Sequence, residues 1–187
     1  MRIFGIDPGS VRTGYGCVDS DGTRLRIVAC GALASPSRAT LPERLHRIHE
    51  GLARLLDTHH PDAVAIESLF YARNARSALV LGHARGVAVL AAVEAGLPIA
   101  EYTPAAIKLA VVGYGRAEKA QMQAMVKLLL GLAAVPTPHD AADALAVAIC
   151  HAHSTSGAAS GRARRSPLRG RSWRDYQPPP ALRRQAP

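Results

Sequence analysis

The sequence predicts an α/β domain with a mixed five-stranded sheet flanked by helices, and three observations carry that prediction. Three strand-length apolar runs follow one another at the start of the chain. Two more then alternate with helix-length segments, the pattern of a sheet sandwiched by helices. The joints between the first three runs are short, which suits an antiparallel meander.

Residues 2–6 (RIFGI), 14–19 (GYGCVD) and 25–33 (LRIVACGAL) form the first three strands, separated by turns at Pro8-Gly9 and Asp21-Gly22. Over 41–59, Leu41, Leu45, Ile48, Leu52, Leu55 and Leu56 recur at three- and four-residue steps, which makes an amphipathic helix. After Pro61, DAVAIES is a short apolar run ending in Glu67 and reads as a buried central strand. Residues 75–95 are a long Ala/Val/Leu helix with Gly82 and Gly86 four apart, followed by the strand LPIAEY. Thr103-Pro104 is a cap and first turn for a helix running to about Val112. The loop VGYGRAEK, a helix over 118–130 and a last helix over 138–153, opened by Thr137-Pro138, complete the body.

Composition bounds the class. Hydrophobic residues make up 48% and aromatics only 4%, so aliphatic side chains fill the interior. The three cysteines (Cys17, Cys30, Cys150) are far apart and odd in number, as expected of reduced thiols in a cytoplasmic protein rather than a disulfide framework. No signal-peptide pattern and no run of about 20 apolar residues is present, so no membrane association is expected. The formal charge of +9 belongs mostly to the tail. Residues 154–187 carry eight arginines against Asp175, which leaves 15 basic and 13 acidic residues in 1–153. That Arg/Pro/Gly-rich tail lacks apolar periodicity and is read as disordered. Salt-sensitive DNA contact and a purely solubilising role are both open to it.

Four acids stand out. Asp7 and Glu67 end strands expected at the heart of the sheet, while Asp140 and Asp143 lie three apart on one face of an apolar helix. Singly, each has a structural reading. Asp7 could serve the Pro-Gly turn, Glu67 could end its strand in solvent, and Asp140 could favour the helix dipole. Asp143, in an Ala/Leu helix, needs a partner. Together they would concentrate like charge, at a cost on the order of 4 kcal/mol per pair at about 4 Å and an effective dielectric near 20. Such a cluster stays partly protonated or recruits cations. No Lys or Arg lies within three residues of Glu67, Asp140 or Asp143. Oxygen-only ligands select Mg2+, with Mn2+ as a substitute. Two such ions about 4 Å apart can activate water and stabilise the leaving oxygen of a phosphodiester.

The strings GIDPGSVRTGYG, VAIESLFYARNARSALVLGHARG, VVGYGRAEKAQ and HDAADALAVAIC resemble, in order and spacing, the RuvC family of Holliday-junction resolvases. The resemblance implies a ribonuclease-H-like nuclease domain over 1–153, with 154–187 as the tail. It also implies a homodimer that resolves four-way DNA junctions in recombination and repair by paired, symmetric Mg2+-dependent nicking, leaving 5′-phosphate and 3′-hydroxyl ends. A partnership with the RuvA–RuvB branch-migration complex comes with it. Asp7, Glu67, Asp140 and Asp143 match the family's catalytic, metal-binding acids and would hold two Mg2+ ions per subunit. Some members have histidine at the position of Asp140. The three-residue step assigns Asp140 here and leaves His139 as an outer-shell candidate. Lys108 and Lys119 match lysines that meet the phosphate backbone, against the plainer reading of a solvated helix face. Phe70, beside Tyr71, matches a base-stacking wedge, against a core plug; aromatic stacking contributes about 1–3 kcal/mol per base. Gly82 and Gly86 lie where the family dimerises, with packing inside one subunit as the alternative. Gly14 and Gly16 would let a phosphate backbone pass close.

Three other readings compete with this one. GIDPGSVRTGYG also resembles the phosphate hairpin of actin-like kinases, but these need a second lobe for which 187 residues leave no room. A junction-binding protein without catalysis would lack an acid, and all four are present. A related fold acting on RNA is disfavoured by FYARNARSAL.

Overall fold

The computed structural model describes residues 1–68 and 74–159. Its elements run β1 (Arg2–Asp7), β2 (Arg12–Ser20), β3 (Leu25–Ala34), α1 (Leu41–His59), β4 (Ala63–Glu67), α2 (Ala75–Glu94), β5 (Ile99–Tyr102), α3 (Pro104–Val112), α4 (Lys119–Leu129) and α5 (His139–Ala159). The sheet order is β3-β2-β1-β4-β5. β1, β2 and β3 form the expected antiparallel meander, while β4 and β5 add in parallel on the other side of β1. β1 and β4 are therefore neighbours at the centre, and Ile6 stands opposite Ile66 one residue before each strand ends.

The period of two divides the sheet into two cores. Phe4, Ile6, Val64 and Ile66 pack with α1 and α2 through Ile48, Leu52, Ala84 and Ala88. Ile3 and Ala65 face α5, α3 and α4 through Leu145, Ile149, Ile107 and Met122. Asp7, two residues on from Gly5 and four from Ile3, falls on the α5 side.

α5 lies on the strands because three glycines leave room for it. A Cβ on Gly14 would collide with the Asp140 carbonyl oxygen. One on Gly16 would come within 2.8 Å of Leu145, and one on Gly5 within 2.8 Å of the Ala148 nitrogen. This corrects the expectation for Gly14 and Gly16: helix backbone, not a phosphate backbone, fills the space above them. α5 is sheathed by Ala141, Ala142, Ala144 and Ala148, all buried, which keeps that approach short. The helix starts at His139, after a cis Thr137–Pro138 peptide, and runs to Ala159, six residues beyond the expected end at 153.

α2 presents the opposite situation. A Cβ at Gly82 or Gly86 would meet nothing within 4 Å, so these glycines do not serve packing within the described chain. Leu79 and Leu90 on the same side are 65% and 48% exposed. By length and composition α2 is apolar enough to cross a bilayer. It packs on α1 through Ala84, Ala88, Ala91 and Ala92, and Arg85 pairs at 2.6 Å with Glu101 of β5, whose side chain is 1% exposed.

Candidate active site

The Pro8-Gly9 turn is fixed by Thr13, which is fully buried and donates its hydroxyl to the Gly9 carbonyl at 2.7 Å. The chain turns away at once, and Asp7 stays at the end of β1 opposite Gly14. Glu67 ends the adjacent parallel strand. The two side chains adjoin closely enough for each to shift the other's pKa. Burial pushes Asp7 up to about 6, and the charge of Asp143 adds to that shift. Burial, followed by the charge of Asp7, pushes Glu67 up to about 8. Both carboxylates are thus harder to ionise than free ones, because each is buried beside like charge. One half of the cluster meets its charge problem through raised pKa values.

The other half meets it with protein cations. Lys119, at the start of α4, donates to Asp143 Oδ2 at 2.8 Å, and this bond raises the lysine's own pKa. Arg12, between the Pro-Gly turn and Gly14, lies 3.5 Å from Asp140 Oδ2. No cation adjoins these aspartates in sequence, yet the fold supplies one to each. Arg12 escaped the sequence reading; its signal was a cation at the start of β2, just past the Pro-Gly turn that follows Asp7. Lys108 is half-buried and acts on Glu67 through its charge, opposing the rise in that residue's pKa. Lys108, Lys119, Glu67 and Asp143 line one cavity of about 260 Å³, floored by Ile107 and Met122. A larger cavity of about 860 Å³ between β3 and α1 touches none of the four acids.

His139 is turned to α4, its Nδ1 hydrogen-bonded to Gln123 at 2.8 Å, rather than to the carboxylates. Phe70 and Tyr71 lie outside the described residues. As they stand, no three acidic, histidine or cysteine side chains among the described residues converge to hold one cation. The donor set nevertheless fits a hard dication: four carboxylates, two of them raised in pKa by burial and mutual repulsion, with no sulfur or ring nitrogen among them.

A mixed sheet in the order β3-β2-β1-β4-β5 that delivers acids from its two central strands, beneath a helix bearing two more, is the arrangement of a ribonuclease-H-like nuclease. Thermus thermophilus RuvC has this fold: its structure matches with a TM-score of 0.77 at 36% identity, over 83% of this chain and 95% of that one. The structure of T. thermophilus RuvC in complex with a Holliday junction substrate matches at a TM-score of 0.80, over 84% and 96%. The yeast mitochondrial Holliday junction resolvase Ydc2 shares the fold at 15% identity, with a TM-score of 0.63. In sequence, the RuvC protein of Chloroflexus aggregans is 53% identical over 82% of this chain and 94% of its own. That of Citrifermentans bemidjiense is 55% identical over 82% and 93%. The family described as crossover junction endodeoxyribonuclease RuvC matches residues 3–151. This chain belongs to the RuvC family.

Proposed function

We propose that this protein resolves Holliday junctions by paired, symmetric nicking, and that Asp7, Glu67, Asp140 and Asp143 are its catalytic, metal-binding acids. The observation that carries this reading is the placement of Asp7 and Glu67 at the ends of adjacent central strands, with the charge of Asp143 acting on both. Two Mg2+ ions per subunit, with Mn2+ as substitute, are the cofactors the donor set favours; when bound they supply Lewis-acid polarisation of the phosphate and an acidified water. The protein's own contributions are positional and electrostatic. Asp7 and Glu67 hold fixed places because their strands end side by side, and burial makes them costly to ionise without a cation. Lys108 and Lys119, at the rim of the same cavity, would take the phosphates flanking the cut. Phe70, three residues after Glu67 in sequence, and Tyr71 are the aromatics that would stack on the unstacked bases of a junction. Cleavage in this reading leaves 5′-phosphate and 3′-hydroxyl ends.

Symmetric nicking needs two sites related by a dyad. The open Gly82/Gly86 face of α2, flanked by exposed Leu79 and Leu90, suits a second copy of the chain and supports reading the protein as a homodimer. An apolar helix face of this kind is better accounted for by a partner helix than by lipid, because α2 carries the Arg85–Glu101 pair. Family membership supports a cytoplasmic location and cooperation with the RuvA–RuvB branch-migration complex, and residues 1–153 are read as the nuclease domain to which the basic tail is appended.

The test is cleavage of a synthetic four-way junction and of linear duplex, with and without Mg2+, by the native chain and by Asp7→Asn. Junction-selective, Mg2+-dependent nicking that disappears in Asp7→Asn while junction binding persists is expected. Full activity in that variant would refute the assignment.

A further inference from the structure

The two halves of the acidic cluster are partnered differently, and the difference has a consequence for cation binding. Asp7 and Glu67 end the adjacent strands β1 and β4. Asp143 and Asp140 are instead held by Lys119 at 2.8 Å and Arg12 at 3.5 Å. Both cations are surface groups: the side chains of Lys119 and Arg12 are 61% and 51% exposed, against 29% and 32% for their aspartates. Exposed ion pairs of this kind contribute only about 0–1 kcal/mol, so they exchange readily. They come from two separate elements, α4 and the first residue of β2, and converge on the one helix that bears both acids. Each occupies a carboxylate that a dication would need.

We propose that Lys119 and Arg12 are exchangeable counter-ions which keep Asp143 and Asp140 from a divalent cation until a DNA phosphate draws them away, so that junction binding and metal loading are thermodynamically coupled. The inference rests on the four acids being the metal site. Its logic is competition: a carboxylate bonded to an ammonium or guanidinium group offers a dication less charge, and the cation repels the incoming ion. A phosphodiester backbone supplies the alternative partner. Arginine matches a phosphate through its planar fork and lysine as a point charge. Coupling is reciprocal, so whatever factor DNA adds to metal affinity, metal must add to DNA affinity. Arg12 thereby acquires a role as a positioning residue, acting through Asp140, which the motifs themselves do not assign.

The test measures Mn2+ binding to the full chain without DNA, by titration calorimetry or by loss of the free-ion spin-resonance signal. Lys119→Gln and Arg12→Gln should each tighten Mn2+ several-fold, and the double variant by about tenfold or more, within the roughly 5- to 150-fold span of allosteric couplings. Lys119→Arg keeps the charge and should bind Mn2+ as the native chain does. Native protein should bind a four-way junction more tightly as Ca2+, a dication of the same oxygen-ligand chemistry, is raised, and the double variant should lose that dependence. Equal or weaker Mn2+ binding in both single Gln variants, with Asp7→Asn abolishing it, overturns the exchange alone. Unchanged Mn2+ binding in Asp7→Asn overturns the metal-site reading beneath it.

Discussion

Gly14 lies directly beneath the backbone carbonyl of Asp140, and a side chain on that glycine would collide with it. The glycine stands opposite Asp7 in the β1–β2 ladder. One missing Cβ therefore sets the distance between the strand-borne acid and the first helical one. Gly14→Ala should push the start of α5 off the sheet. We expect a stability loss of about 1–3 kcal/mol, the usual range for overpacking. Single-turnover junction cleavage should fall further, by about 100-fold, because small misplacements of reacting groups have large effects. Denaturant melts and cleavage rates, measured on the same preparation, separate the two.

Asp7 and Glu67 also set a pH dependence of stability. Both have folded-state pKa values raised above the ordinary carboxylate range, so the folded chain holds these protons more tightly than the unfolded chain. Their contribution is intact at acid pH and is lost as pH climbs from the ordinary range through about 6 and about 8. In Glu67→Gln the metal-free protein should lose less thermal stability over this window and melt higher at about pH 8. A gain of about 2–4 °C per kcal/mol is expected for a chain of this size. Thermal melts at stepped pH in the presence of chelator check the sign; a native chain that gains stability with rising pH across this window would contradict it.

The outward face of α2 predicts an assembly defect without a folding defect. Leu79→Arg combined with Leu90→Arg adds charge where no described residue packs against Gly82 or Gly86. Sedimentation at micromolar concentration should show the native dimer and a monomeric variant. The monomer's own fold should change by no more than about 0.5 kcal/mol, as for other surface substitutions. An unchanged sedimentation coefficient would place the dimer interface elsewhere.

Arg85 and Glu101 tie α2 to the edge strand beside Glu67. The Glu101 side chain is 1% exposed and receives Arg85 at 2.6 Å, with a second bond from Nε at 2.8 Å. Removing one partner of a buried pair is destabilising by about 3–5 kcal/mol. Arg85→Ala should lose that amount in urea melts, and Arg85→Lys should recover only part, since an ammonium lacks the guanidinium's fork. A loss below about 1 kcal/mol would mean that the pair is not a structural tie.

Much of the fold was legible before the structure, because its signals are local. Alternating apolar runs, turn formers and helical periodicity place the five strands and five helices of the described residues, with boundaries that move by a few residues at most, except that α5 continues to Ala159. The parallel neighbourhood of β1 and β4 could only be expected, since register is fixed by which faces bury together. His139 illustrates the limit. Its proximity to Asp140 in sequence suggested a supporting role, but one step along a helix turns a side chain by about 100°, and it bonds to Gln123.

The sequence alone determined the acids, their presentation at strand ends and on one helix face, and the family to which the chain belongs. What only the tertiary structure decided is how the charge is balanced and how close the acids come. Lys119 is 24 residues from Asp143, and Arg12 is 128 residues from Asp140. Glycines that looked like an allowance for DNA turned out to be the bed of α5. These are contacts between elements distant in the chain, and their energies depend on burial and separation in space, which no local pattern of residues encodes.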